Sequence, residues 1–167
     1  MSTTKRRCII SMLLAMAIVL NILESFIPID IPGVKLGLDN IIFLIMLFEF
    51  KPYEALAVTI LRILLVGLLR GNFLSPTFMM SLSGGLLSFL IMYLFSRIKV
   101  FSPIGVSVLG AVSHATGQVI IAIIILDTQA VIYYLPLIGL LSIATGILSG
   151  IITRLYLKKS ITARFLN

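Results

Sequence analysis

The chain has 167 residues, 60% of them hydrophobic and only 11% charged, and its mean hydropathy is +1.20. A soluble domain of this size needs a polar shell, and this composition cannot supply one. The net charge of +7 is spread over short gaps between apolar runs, so it forms no single basic patch and excludes a nucleic-acid interface.

Run length predicts an all-α polytopic membrane protein, a bundle of about six transmembrane helices in a single domain over residues 1–167, with short basic ends at 1–7 and 158–167. The first span runs from Cys8 to Ile27, where Pro28 closes it. Lys5-Arg6-Arg7 before an apolar run resembles a signal peptide, but the run continues past Ala15-Met16-Ala17, which predicts a retained helix. A connection rich in turn formers follows, Pro28 to Lys35. The second span, Leu36 to Phe50, is short for a full crossing and ends at Lys51-Pro52. The third runs from Tyr53 to Leu69, the fourth from Leu74 to Phe95, the fifth from Ile104 to Leu126 and the sixth from Val131 to Leu157.

Cation placement predicts orientation. With the N-terminus in the cytoplasm, the inner side collects Lys5, Arg6, Arg7, Lys51, Arg97, Lys99, Arg154, Lys158, Lys159 and Arg164, and the outer side keeps Lys35 and Arg70. The positive-inside rule therefore predicts a multi-pass cell-membrane protein with both termini cytoplasmic. The single cysteine, Cys8, allows no intrachain disulfide and no cysteine-based metal site.

Small residues recur at helical spacing: Ser11 and Ala15; Ser81 and Gly85; Gly84 and Ser88; Ser107, Ala111 and Ala115; Ser113 and Gly117; Ser142, Gly146 and Gly150. Such faces let helix backbones approach closely in lipid. Packing within the chain accounts for most of them, and the face on the first helix is the one open to a separate subunit.

Ionisable groups inside spans cost a few kcal/mol each, so each needs a partner or a purpose. Glu24 lies near the outer end of the first helix, Arg62 near the middle of the third, and His114 and Gln118 are four apart on one face of the fifth. Two readings stand side by side: a structural ion pair of Glu24 with Arg62 or Arg70, or a polar pocket lined by Glu24, Arg62, His114 and Gln118. In the second, Lys35 and Arg70 stand at the mouth and favour an anionic ligand. Tyr133 is placed to cover a flat ligand or to act as an interfacial aromatic. A lone histidine with no neighbouring ligands predicts no metal, and no cofactor is expected. Ser113 and His114 are sequence neighbours on different faces, so nucleophilic catalysis is not expected.

Together, Leu23-Glu24-Ser25 with Pro28, Pro32-Gly33-Val34-Lys35-Leu36-Gly37-Leu38 before Asn40, Glu54-Ala55 leading to Leu61-Arg62, Ser83-Gly84-Gly85-Leu86-Leu87-Ser88, Phe101-Ser102-Pro103-Ile104-Gly105-Val106-Ser107, His114 through Gln118 and Tyr133-Tyr134-Leu135-Pro136 resemble the Gx transporter family, also called heptaprenyl diphosphate synthase component I. That family resembles the substrate-binding S components of energy-coupling factor transporters. The resemblance implies a vitamin-sized solute, a transmembrane coupling subunit and a pair of cytoplasmic ATPases. It assigns docking of the coupling subunit to Ser11 and Ala15, with serine at 11 where the family pattern prefers alanine. No GxxxxGK[ST] motif occurs, so energy would come from the partners. The alternative reading is a non-catalytic accessory subunit of heptaprenyl diphosphate synthase. Prenyl elongation needs clustered aspartates for magnesium, whereas the six acidic residues here are scattered and no two are adjacent. The chain is therefore not expected to be an enzyme.

Overall fold

The computed structural model describes residues 3–24, 26, 40–98 and 100–166. Among them are six α-helices: α1 (Thr3–Glu24), α2 (Asn40–Glu49), α3 (Pro52–Leu69), α4 (Pro76–Ser96), α5 (Pro103–Leu126) and α6 (Leu135–Leu166), with a 3-10 helix at Gln129–Tyr134. Five segments are long and apolar enough to cross a bilayer: Thr4–Glu24, Pro52–Leu69, Pro76–Ser96, Pro103–Leu126 and Leu135–Lys159.

Local chemistry sets the starts. Ser75 caps α4, its Oγ accepting from the Phe78 N–H at 3.3 Å, and Ser102 caps α5, accepting from the Gly105 N–H at 3.2 Å. Each is followed by a proline, whose missing N–H costs nothing in the first turn. The fourth span therefore begins at Pro76 and not at Leu74. The sixth begins at Leu135, because residues 129–134 wind as 3-10 helix.

The end of α3 is closed by a Schellman arrangement. Asn72 N–H donates to the Gly67 carbonyl at 2.9 Å and Gly71 N–H to the Leu68 carbonyl at 3.1 Å, with Gly71 at φ +65°. A Cβ at Gly71 would meet nothing within 4 Å, so Gly71→Ala isolates backbone strain. It is expected to lower stability by about 1 kcal/mol, read from thermal unfolding in detergent.

The helices form an open arc. α5 lies between α4 and α6, α3 packs beside α4, and α1 beside α3, while α2 touches all five others from inside. Among the described residues α1 and α6 do not meet. The ten residues of α2 rise only about 15 Å, half the hydrocarbon thickness. Phe43, Leu44, Ile45 and Met46 of this helix are buried in protein, so α2 acts as core. Helix α1 begins at Thr3 and α6 runs on to Leu166, so the described parts of both basic ends are helical.

Burial runs opposite to that of a water-soluble domain. Asn21, Glu24, Arg62, His114 and Gln118 are inside, whereas Met12, Leu69, Ile124, Leu140 and Leu155 are exposed. Apolar surface of that extent is stable only against lipid. The protein is an all-α polytopic membrane protein.

Close approach holds the arc together. A Cβ on Gly117 would stand 2.9 Å from the Gly84 Cα, and one on Gly146 2.8 Å from the Val108 Cα. Hydroxyls add bonds across the α4–α5 seam: Ser83 Oγ donates to the Gly117 carbonyl at 3.1 Å and Ser88 Oγ to the Gly110 carbonyl at 2.8 Å. The small-residue faces of α4, α5 and α6 are thus spent within the chain. The face of α1 differs: Ser11 and Ala15 are exposed, beside exposed Met12 and Met16.

At the end where α1 and α3 begin, Arg6 grips Glu54. Its Nε donates to Oε1 at 2.9 Å and its Nη2 to Oε2 at 2.6 Å. Glu54 also accepts from the Lys51 N–H at 2.9 Å, which caps α3. We expect Glu54→Gln to loosen α1, seen as faster proteolysis between α1 and α2 with the α3–α6 fragment still intact.

Candidate functional site

Arg62 and His114 sit ten and eleven residues into α3 and α5, which both start at the end rich in cations. At 1.5 Å per residue each is about 15 Å deep, near the middle of a roughly 30 Å core. Both side chains are buried, as are Gln118, Glu24, Asn21 and Asn40. Four helices thus contribute buried polar groups, Glu24 and Asn21 from α1, Asn40 from α2, Arg62 from α3 and His114 and Gln118 from α5.

Adjacent glycines make room for them. On a helix, neighbours in sequence face about 100° apart, so Gly84 and Gly85 serve different partners. A Cβ at Gly84 would lie 2.8 Å from the His114 carbonyl oxygen, 3.0 Å from Gln118 Cγ and 3.2 Å from His114 Cε1. One at Gly85 would lie 2.7 Å from Ile63 Cδ1 and 3.8 Å from Arg62 Nη2. The glycine pair therefore lets α4 approach the histidine on one face and the arginine on an adjoining one. We expect Gly84→Ala to cost about 1–3 kcal/mol, because the nearest neighbour, the His114 carbonyl, is backbone and cannot yield; unfolding by far-ultraviolet circular dichroism reads it.

Two features hold Arg62. Its Cζ lies 5.5 Å from the Phe43 ring centroid on α2, a cation–π contact strengthened by desolvation. The Glu24 carboxylate lies within Coulombic reach of the guanidinium. Oε2 of Glu24, Nε and Nη1 of Arg62, Oδ1 of Asn21 and Nδ1 of His114 take no hydrogen bond among the described residues, although each of these residues is engaged in other ways.

The other sequence-derived positions fall elsewhere. Arg70 is exposed at the C-cap of α3. Tyr133 lies in the 3-10 helix and is 83% exposed among the described residues. Lys35, with the Pro28–Lys35 connection, lies outside the described residues. Ser113 Oγ donates to the Gly110 carbonyl of its own helix at 3.0 Å, which occupies the hydroxyl beside His114. No group of three or more His, Cys, Asp or Glu is placed to hold a metal among the described residues.

Sequence reasoning reads Gly84, Gly85 and Ser107 only as small residues on packing faces, and does not find the role of Phe43 or the buried hydroxyls Ser149 and Thr153. The hydroxyls had a signal. Ser149 and Thr153 are four apart and therefore share a face of α6, while Ser107 meets that helix at Gly150.

Neither the curated proteins nor the solved structures gave a match to the chain. The family model described as heptaprenyl diphosphate synthase component I matches residues 13–156, a stretch that takes in most of α1, all of α2 to α5 and most of α6, and the chain belongs to that family.

Proposed function

We propose that the chain is the substrate-binding membrane subunit of a small-molecule uptake transporter, taking a solute like a vitamin or cofactor precursor. The observation that carries this reading is the buried polar layer of Glu24, Arg62, His114 and Gln118. Ionisable groups at that depth are expensive, and in membrane proteins they mark solute and ion pathways. Arg62 gives the layer a planar donor fork suited to a carboxylate or phosphate, and His114 and Gln118 add hydrogen-bonding groups beside the adjoining face of α4.

In this reading the chain performs no chemistry of its own. A transmembrane coupling subunit docks on the exposed α1 face at Ser11 and Ala15, and cytoplasmic ATPases supply energy. The protein sits in the cell membrane with both termini in the cytoplasm, as the cation asymmetry favours. Lys35 and Arg70 belong to the outer mouth.

The family description supports a second reading, a non-catalytic membrane subunit beside a prenyl diphosphate synthase. The scattered carboxylates argue against the chain being the synthase itself.

Affinity purification from the native membrane after gentle solubilisation, with mass spectrometry of what accompanies the chain, separates the two. A membrane coupling protein with paired ATPases is the expected result. Recovery of a soluble prenyltransferase without them replaces the first reading by the second. Recovery of neither, with no retained small molecule, overturns both.

A further inference from the structure

A half-open cleft of about 250 Å³ lies far from the polar layer, at the end of the bundle rich in cations, lined by Leu47, Phe48, Phe50, Pro52, Ser96 and Arg97. It forms where α2 ends, α3 begins and α4 ends, so it sits at the depth of the helix termini and about 15 Å from Arg62 along α3. It is smaller than the pockets that enclose a whole small molecule, roughly 300–1,000 Å³. Its lining is apolar on the α2–α3 side and carries a guanidinium on the α4 side.

That guanidinium is held in place. Arg97 Cζ stands 5.0 Å over the Tyr93 ring, and Tyr93 stacks on Phe89 with centroids 6.1 Å apart and an interplanar angle of 3°. The three residues form a ladder at four-residue spacing down α4, which restrains an otherwise mobile side chain and leaves its N–H fork for a ligand. Lys51 Nζ is 5.8 Å from the Tyr53 ring, and Arg6 Cζ is 5.8 Å from the Phe50 ring at the cleft's far wall. Of the carboxylates at this end, Glu54 is taken by Arg6 and Glu49 is also engaged. The same end of the chain's helices carries Lys5 and Arg7 at the start of α1 and Lys158 and Lys159 in the last part of α6, so cations outnumber carboxylates at this end of the bundle.

We infer that this cleft seats an anionic phospholipid of the surrounding leaflet, its phosphate on Arg97 and its first acyl carbons on Leu47, Phe48 and Phe50. An arginine fork binds phosphate oxygens in pairs. Basic pockets between transmembrane helices at headgroup depth are where such lipids bind, and a cleft too small for a whole solute suits a headgroup whose tail continues into the bilayer. The inference stands apart from the transport reading, because none of its residues belongs to the polar layer.

The test uses the full chain, delipidated in detergent and titrated with phosphatidylglycerol or phosphatidylcholine of matched acyl chains, with retained lipid read by native mass spectrometry. Phosphatidylglycerol is expected to be retained at least fivefold better. Arg97→Gln should abolish that preference and Phe48→Ala weaken it, while Arg154→Gln, a cation on α6 that does not line the cleft, leaves it intact. Both arginine positions are exposed, and circular dichroism confirms that the variants are folded. Equal retention of the two lipids overturns the inference, as does an equal loss in Arg97→Gln and Arg154→Gln. Displacement of phosphatidylglycerol by farnesyl diphosphate at equal concentration also overturns it, by making an isoprenoid diphosphate the occupant.

Discussion

Arg62→Leu is expected to lower stability by about 3–5 kcal/mol, because it leaves the Glu24 carboxylate buried without its opposing charge. Glu24 is only 3% exposed, so water cannot take the guanidinium's place. Glu24→Leu should cost a similar amount for the mirrored reason. The double variant is the decisive one: with both charges gone, the desolvation penalty disappears on both sides, and most of the loss should be recovered. Unfolding followed by far-ultraviolet circular dichroism suits a chain with no tryptophan. Simple addition of the two single losses would show that the residues do not act on each other. Arg62→Lys keeps the charge but not the planar contact with Phe43 or the paired donors, so it should retain most of the stability and lose affinity for an anionic solute. The cycle thereby separates the structural share of this layer from the binding share, which neither single variant can do.

Gly150→Leu is the second large effect, and its cause is geometric. A Cβ at 150 would stand 2.6 Å from the Ile104 Cα and 3.1 Å from the Ser107 Cβ. The nearest obstacle is main chain inside a helix, so relief requires α6 to move off α5 along its length. A loss of about 3 kcal/mol or more is expected, with retained helix content but easier subtilisin cleavage in the α5–α6 connection. Gly139 is the control on the same helix. Nothing lies within 4 Å of a Cβ there, so Gly139→Ala should gain about 0.5–1 kcal/mol from helix propensity alone. If both glycine variants lose stability equally, the tight α5–α6 approach is not what holds the arc.

Several features of the fold are legible in the chain because they depend on local chemistry. Apolar run length gives α3 and α5 nearly to the residue, and the spacing of His114 and Gln118 puts both on the α5 face that Gly84 admits. Ser75-Pro76 and Ser102-Pro103 were cap signals that place two helix starts better than hydropathy does. What the chain does not display is lateral neighbourhood. Gly84 and Gly85 are both small residues on one helix, and nothing local says that one faces α5 and the other α3. The Arg6–Glu54 clasp joins residues 48 apart, and the cleft beside Arg97 exists only where three helix ends converge. Burial in lipid also weakens the usual cue: apolar residues line both the inside and the outside, so the hydrophobic pattern gives span and not facing.

The clasp between Arg6 and Glu54 has a bearing on biogenesis. Among the described residues α1 touches, of the other helices, only α2 and α3, and its charged anchor lies 48 residues downstream. At ribosomal rates of about 5–20 residues per second, roughly 2–10 s pass between the emergence of Arg6 and that of its acceptor. Until α2 emerges the first helix has none of its packing partners among the described residues, and its charged anchor follows α2. Its exposed methionine-rich flank therefore meets the insertion machinery and its chaperones first, and the rest of the protein afterwards.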